Sequence, residues 1–169
     1  MRYDPRIHRR RSIRLPEYDY SQPGAYFVTI CAHDREMSLQ AEQVQDAVRS
    51  AWSGLPNRFP NVTLDEFVVM PNHVHGIIIL EGDASSDGAA SGAEGAASSA
   101  PTLGAIVRAF KSVSAMEANK ALVRSGRPFW QRNYYEHVIR DDDELNAIRQ
   151  YVRDNPANWD GDPDNPSNL

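Results

Sequence analysis

Two histidines in an apolar segment are the first residues of the sequence that could carry out chemistry. His73 and His75 lie within FVVMPNHVHGIIIL, residues 67–80. Burial of an imidazole costs free energy unless another group binds it. Side chains alternate along a strand, so both rings would point the same way, with their Cα atoms roughly 7 Å apart. Two imidazoles on one face could form half of a divalent metal site, although two core histidines bonded to nearby backbone would have the same spacing.

A tyrosine and an asparagine further along the chain could complete such a site. Leu145, Ile148 and Val152 recur at helical spacing, and at about 100° per residue they form the buried stripe of a helix. Tyr151 and Asn155 lie on one flank of that stripe, one turn apart. The amide oxygen of Asn155 suits a hard cation such as Mg²⁺ or Mn²⁺, and Tyr151 offers a phenol. The same two residues could also be edge packing and a helix cap.

The elements that would position these residues alternate between strands and helices. Runs of β-branched and aromatic residues predict the strands, and apolar residues at helical spacing predict the helices. The ranges are 24–34, 61–70, 73–80 and 128–140 for the strands, and 40–55, 101–120 and 141–156 for the helices. This order predicts an α+β fold of the ferredoxin-like split βαβ type: an antiparallel sheet with helices on one face, plus a C-terminal helix that carries the tyrosine.

Composition predicts one folded domain with oppositely charged ends. The 169 residues carry a net charge of −5, yet residues 1–14 hold six arginines and one acid, and residues 141–169 hold eight acids and two arginines. The basic end could bind phosphate, or it could be a solvated arm. The expected divisions are a basic arm at 1–23, a folded domain at 24–159 with a flexible Ala/Gly/Ser-rich loop at 82–100, and an acidic tail at 160–169.

The sequence also indicates a soluble, cytoplasmic protein. Its one cysteine, Cys31, cannot form an internal disulfide, and a reducing compartment is the simplest location for it. No apolar signal core follows the charged N-terminal residues, and no segment reaches the roughly 18 apolar residues that span a bilayer. We therefore expect no membrane partner.

Five segments of the sequence carry a resemblance to a known family: RRRSIRLPEYDYSQPGAYFVTICAHDR, MPNHVHGIII, TLGAIVRAFKS, FWQRNYYEHVIRDDDEL and IRQYVRDNPANW. Together they resemble the REP-associated tyrosine transposases and the single-tyrosine insertion-sequence transposases. Both groups are HUH endonucleases, named for histidine, hydrophobic residue, histidine. The resemblance covers nearly the whole chain, and the long Ala/Gly/Ser-rich insertion departs from it.

The resemblance implies a transposase that nicks and rejoins single-stranded DNA near a hairpin. It implies His73, His75 and Asn155 as ligands of Mg²⁺ or Mn²⁺, and Tyr151 as the nucleophile that forms a 5′-phosphotyrosine. The partner would be single-stranded or hairpin DNA in the bacterial nucleoid, bound by a monomer or a homodimer. We expect DNA contacts from basic side chains at Arg9, Arg10, Arg11, Arg14, Arg108, Lys111 and Arg132.

Several alternatives remain open at the level of the sequence. Tyr134 and Tyr135 are rival nucleophiles, although neither has a ligand-type residue one helical turn further on. The same fold could bind hairpin DNA without cutting it. The two histidines could also serve an unrelated metal-dependent phosphodiesterase.

Overall fold

A four-stranded antiparallel sheet forms the centre of the protein. The computed structural model describes residues 15–82 and 100–168. The strands are β1 (Gly24–Cys31), β2 (Val62–Val69), β3 (His73–Leu80) and β4 (Tyr135–Ile139). They lie in the order β2-β3-β1-β4, with every neighbouring pair antiparallel. The predicted ferredoxin-like sheet is therefore confirmed.

Helices cover both faces of this sheet. The helices are α1 (Glu42–Ser53), α2 (Leu55–Arg58), α3 (Leu103–Ala121) and α4 (Asp142–Asp154). The first three pack on one face, and α4, the predicted C-terminal helix, packs on the other. Within the described part of the chain, every helix is too short or too polar to traverse a lipid bilayer.

Alternation along the central strands gives the sheet two apolar faces. Val28 of β1 and Val74 of β3 belong to the larger core beneath α1 and α3. Phe27 and Ile77, their neighbours on the opposite face, pack with Ile148 of α4 in a second, smaller core. The period of two that sends Val74 towards α1 and α3 sends the histidines on either side of it towards α4.

Residues 128–134 differ from the prediction, because β4 is shorter than the aromatic run suggested. Aromatic residues favour strands in general, but Phe129 and Trp130 are buried in the larger core instead of extending β4. The ammonium of Lys111 binds the main-chain oxygens of Gln131 and Arg132 at 2.6 and 2.9 Å. A side chain thus satisfies backbone groups that a longer strand would have paired with its neighbour.

Gly76, which follows the second histidine, has a packing role on the face away from α4. A Cβ atom there would lie 2.4 Å from the Cη2 atom of Trp52 and 3.1 Å from a ring carbon of Phe67. The indole of Trp52 stacks on the ring of Phe67, with centroids 4.4 Å apart, and is only 4% exposed. The glycine therefore allows the indole to lie directly against β3.

We expect Gly76→Ala to lower the free energy of unfolding by about 3 kcal/mol, since overpacking of a rigid core displaces side chains and backbone. Urea unfolding would measure the loss. Gly24→Ala is the matched control, because a Cβ at this other strand glycine meets only ordinary contacts, the nearest at 3.8 Å. Equal stabilities for the two variants would contradict the role assigned to Gly76.

Two groups of predicted features fall outside the described residues. They are the arginines Arg9, Arg10, Arg11 and Arg14 of the arm, and residues 83–99 of the Ala/Gly/Ser-rich loop. The proposed division into arm, domain and tail stays a prediction.

Candidate active site

The two histidines of β3 meet at their Nε2 atoms. His73 is fully buried and His75 is 3% exposed. Their Nε2 atoms are 3.0 Å apart, and the two ring planes are inclined by 70°. Both rings therefore direct one nitrogen towards the same point.

A neighbouring side chain holds the other nitrogen of each ring. Nδ1 of His73 lies 2.8 Å from Oδ1 of Asn72, and the amide nitrogen of Asn72 donates to the main-chain oxygen of Asp164 at 2.8 Å. The Asn72 oxygen is thus the acceptor, so His73 carries its proton on Nδ1 and a lone pair on Nε2. Nδ1 of His75 is 2.8 Å from the hydroxyl of Thr29, which can donate or accept. Partners of this kind fix the tautomer and direction of metal-binding histidines.

Burial keeps both rings neutral. It lowers the pKa of His73, and this effect outweighs the opposing influence of the Asp162 and Asp164 carboxylates. The pKa of His75 lies well below its usual value, first because of burial and then because His73 is close. Neutral imidazole is the form that binds a metal ion.

Helix α4 places a phenol beside the histidines. Ile148 and Val152 are buried against the sheet, as the helical stripe predicts. The ring of Tyr151 consequently lies against His75, with centroids 5.4 Å apart, and against Phe27 at 6.1 Å. The structure thus brings together the predicted nucleophile and one predicted ligand.

Asn155, the residue after α4, carries a buried side-chain oxygen. The residue is 4% exposed, and its Oδ1 atom has no hydrogen-bond partner among the described residues. It follows Tyr151 by one turn and precedes Trp159, whose ring lies 6.1 Å from that of His73. A buried amide oxygen without a partner costs free energy, and a cation would satisfy it. Neutral imidazole nitrogens and an amide oxygen are both donor types that a divalent ion accepts.

Two carboxylates also lie close to His73. The sequence had placed both of them in an acidic tail. Ligand atoms of His73, Asp162 and Asp164 all lie within 4.8 Å of one another, so these three residues could hold a metal ion. The spacing of the two acids in DGDPD was the available signal. Nothing in the sequence showed that this segment returns to β3.

The rival tyrosines lie on opposite faces of the sheet. Tyr135 of β4 pairs with Thr29 of β1, and its ring packs near Phe27 on the face of the sheet that α4 covers. Tyr134 packs with the larger core. Glu136 also points away from α4, since it alternates with Tyr135, and it is 5% exposed. Tyr135 is therefore the closer rival, although it lacks a counterpart of Asn155.

Three predicted DNA contacts lie within the described residues. Arg108 and Arg132 are exposed. Lys111 is half-buried, and its ammonium binds two main-chain oxygens. DNA contact by these residues stays a prediction.

Two arginines attach α4 to an irregularity in β2. The pairing of β2 with β3 shifts between Leu64 and Phe67. The guanidinium of Arg149 donates to both carboxylate oxygens of Asp65, at 2.9 and 2.5 Å. That of Arg153 donates twice to one oxygen of Glu66, at 2.8 and 2.5 Å. Both pairs lie on the helix that carries Tyr151.

We expect Asp65→Lys to lower the free energy of unfolding by about 1 kcal/mol, because the bridge to Arg149 is bidentate. The double variant Asp65→Arg/Arg149→Asp should recover most of the loss in urea unfolding. Hydrogen bonds from Arg149 lower the pKa of Asp65. The contribution is therefore present at neutral pH and is lost as the pH falls below about 3.9 towards the lowered pKa.

An exposed pair elsewhere supplies the control for this bridge. Asp46 and Arg49 lie 3.9 Å apart on α1, far from α4 in the fold. Asp46→Lys should change stability by only a few tenths of a kcal/mol. A loss as large as that for Asp65→Lys would show that the α4 bridge is an ordinary surface pair.

Two proteins of known sequence are similar to this chain. The chain is 38% identical over 176 residues to an uncharacterized protein of Haemophilus influenzae, covering 95% of this chain and 96% of that one. It is 28% identical over 144 residues to a second protein of that organism, named as a REP-associated tyrosine transposase, covering 82% and 73% of the two chains. No protein-family model matches the chain.

A solved structure shares the fold. It is that of a REP-associated tyrosine transposase bound to a REP hairpin, with a TM-score of 0.57 and 22% identity. The match covers 83% of this chain and 71% of the other. At this identity the likeness concerns the arrangement of the sheet and helices.

Proposed function

Because the chain belongs to the family of the REP-associated tyrosine transposases, we propose that it cuts and rejoins single-stranded DNA beside a hairpin. One observation carries this proposal. The ring of Tyr151 lies 5.4 Å from that of His75, whose Nε2 atom is 3.0 Å from that of His73. A nucleophile thus adjoins a buried pair of metal-type ligands, and the relative bound to a REP hairpin supports hairpin DNA as the substrate.

His73, His75 and Asn155 would hold Mg²⁺ or Mn²⁺. When bound, such an ion withdraws charge from the scissile phosphate and orients it. The protein contributes the direction of the ligands: Asn72 and Thr29 fix the two rings, and α4 supplies the buried oxygen of Asn155.

Tyr151 would perform the covalent step. Its phenolic oxygen attacks the phosphorus atom, the bond from phosphorus to the 3′ oxygen breaks, and the phenolic proton is lost. The products are a DNA 5′ end attached to Tyr151 and a free 3′-OH. Attack by a 3′-OH on this phosphotyrosine reverses the step and joins two strands.

The helix that carries Tyr151 is fixed to the sheet before DNA arrives. Burial of Ile148 and Val152, and the two arginine bridges to β2, hold it against β3. A preset position of the phenol reduces the entropy that the reaction must lose. A monomer or a homodimer, and a location with the bacterial nucleoid, remain predictions.

A single-stranded oligonucleotide that contains a hairpin, labelled on the strand 3′ to the hairpin, tests the proposal. Incubation of the full chain with this DNA and Mn²⁺ should give an adduct that survives SDS, and EDTA should prevent it. A fully duplex oligonucleotide is the control and should give none. A mobility shift without an adduct would instead indicate a hairpin-binding protein, and neither signal would favour a different phosphodiesterase.

A further inference from the structure

The segment after α4 folds back over His73. The 3₁₀ turn Pro156–Gly161 brings Trp159 against the histidine, and Asp162 follows with only 7% of its surface exposed. A carboxylate is almost never buried to this extent unless another group pairs with it. The position of Asp162 therefore requires an explanation.

Three hydrogen bonds fix this segment in place. Asn72 donates to the main-chain oxygen of Asp164 at 2.8 Å, and Arg35 donates to the Asp164 carboxylate at 3.1 Å. The main-chain nitrogen of Asp164 donates to Oδ1 of Asp162 at 2.7 Å. With Oδ1 held in this way, Oδ2 of Asp162 lies towards His73, 4.0 Å from its Nε2 atom.

The contact between Asp162 and His73 is not a hydrogen bond. A separation of 4.0 Å is too long for one, and Asn72 keeps the proton of the neutral ring on Nδ1. A lone pair and a carboxylate oxygen thus face each other across a gap, and Nε2 of His75 lies within hydrogen-bond distance of the same lone pair, at 3.0 Å. The lone pair of His73 and the carboxylate of Asp162 repel one another unless a cation lies between them.

Two of the separations match those between ligands of one ion. Two atoms that each lie about 2.1 Å from a metal are about 3.0 Å apart when adjacent and about 4.2 Å apart when opposite. The separations of Nε2 of His73 from Nε2 of His75 and from Oδ2 of Asp162, 3.0 and 4.0 Å, fall within this range.

We propose that Asp162 is a further ligand of the divalent cation, beside His73, His75 and Asn155; this inference rests on the proposed function for the cation itself. The carboxylate is the one anionic member of the four, and it shifts the donor set towards the hard ions Mg²⁺ and Mn²⁺. Asp164, whose carboxylate binds Arg35, is a positioning residue for Asp162.

Titration of the full chain with Mn²⁺, followed by the electron paramagnetic resonance signal of the free ion, tests the assignment without any DNA. Asp162→Asn keeps the shape of the side chain and should weaken Mn²⁺ binding at least about tenfold. Asp160→Asn is the matched control, since Asp160 is an exposed acid of the same segment. Its Kd should stay within about twofold of the wild-type value.

His73→Ala separates this inference from the proposed function. If His73→Ala abolishes Mn²⁺ binding and Asp162→Asn binds like the wild type, Asp162 is not a ligand and the proposed function stands. If neither variant changes the Kd, the cation does not bind at β3 and both proposals fail. An unchanged Kd with faster adduct formation in Asp162→Asn would mean that the carboxylate occupies space needed by DNA, which also overturns the assignment.

Discussion

Replacement of Tyr151 by phenylalanine should abolish the covalent protein–DNA adduct and leave hairpin binding intact. The ring and its packing against His75 and Phe27 are kept. Only the attacking oxygen is removed, so the bond from this residue to phosphorus cannot form. Because affinity for DNA comes mainly from phosphate contacts, the Kd for the hairpin should change little.

Loss of the hydroxyl should hardly affect folding. A single hydroxyl hydrogen bond contributes about 1 kcal/mol to stability, so the free energy of unfolding should fall by no more than about that amount. Urea unfolding of Tyr151→Phe would verify that the inactive variant is folded. A large loss of stability would make the missing adduct uninformative about the nucleophile.

Tyr135→Phe is the decisive comparison, because Tyr135 lies on the same face of the sheet. This variant should still form the adduct. Mass spectrometry of the adducted peptide would locate the DNA: attachment at Tyr151 confirms the nucleophile, whereas attachment at Tyr135 would overturn it. The second result would also leave the orphaned oxygen of Asn155 without its proposed role.

Replacement of His75 by leucine should stop DNA cleavage, although hairpin binding persists. Leucine fills part of the volume of the buried ring but carries no atom that can bind a metal ion. A metal ion contributes several kcal/mol to stabilisation of the transition state. Its loss should slow adduct formation at least about a thousandfold, since each 1.4 kcal/mol is about tenfold in rate. Single-turnover assays with the labelled hairpin would measure this.

A histidine outside the site provides the control. His33 lies in a 3₁₀ turn with 41% of its side chain exposed. His33→Leu should cut at the wild-type rate. Cleavage by His75→Leu at that rate would show that the paired histidines are core residues bonded to their neighbours, the alternative that the sequence leaves open.

The strand that carries the histidines was predictable because two local signals agree there. The turn residues before His73 and the continuous apolar run up to Leu80 give the bounds that the structure shows. Alternation then determined that His73 and His75 share a face. The amphipathic pattern of α4 likewise placed Tyr151 and Asn155 on one flank.

The contacts that orient the ligands could not be derived in the same way. Asn72 looked like a turn residue, yet its amide links His73 to Asp164, 92 positions further along the chain. Contacts between residues so far apart in sequence depend on how the chain folds back on itself, and local periodicity carries no information about that path. The prediction of a strand over the aromatic run at 128–134 was wrong for a similar reason, since Lys111 of α3 binds the backbone of that run.

During synthesis on a ribosome, the residues that orient His73 are made long after His73 itself. The hydrogen bonds that join Asp164 to Asn72 and to Arg35 span 92 and 129 positions. At about 5–20 residues per second, the interval from His73 to Asp164 lasts on the order of 5 to 20 seconds. In this interval β1 can pair with β3. Tyr151, Asn155 and the main-chain oxygen of Asp164 that binds Asn72 have not yet been made. A nascent chain that breaks off before Tyr151 therefore carries the histidine motif without the other residues of the candidate site.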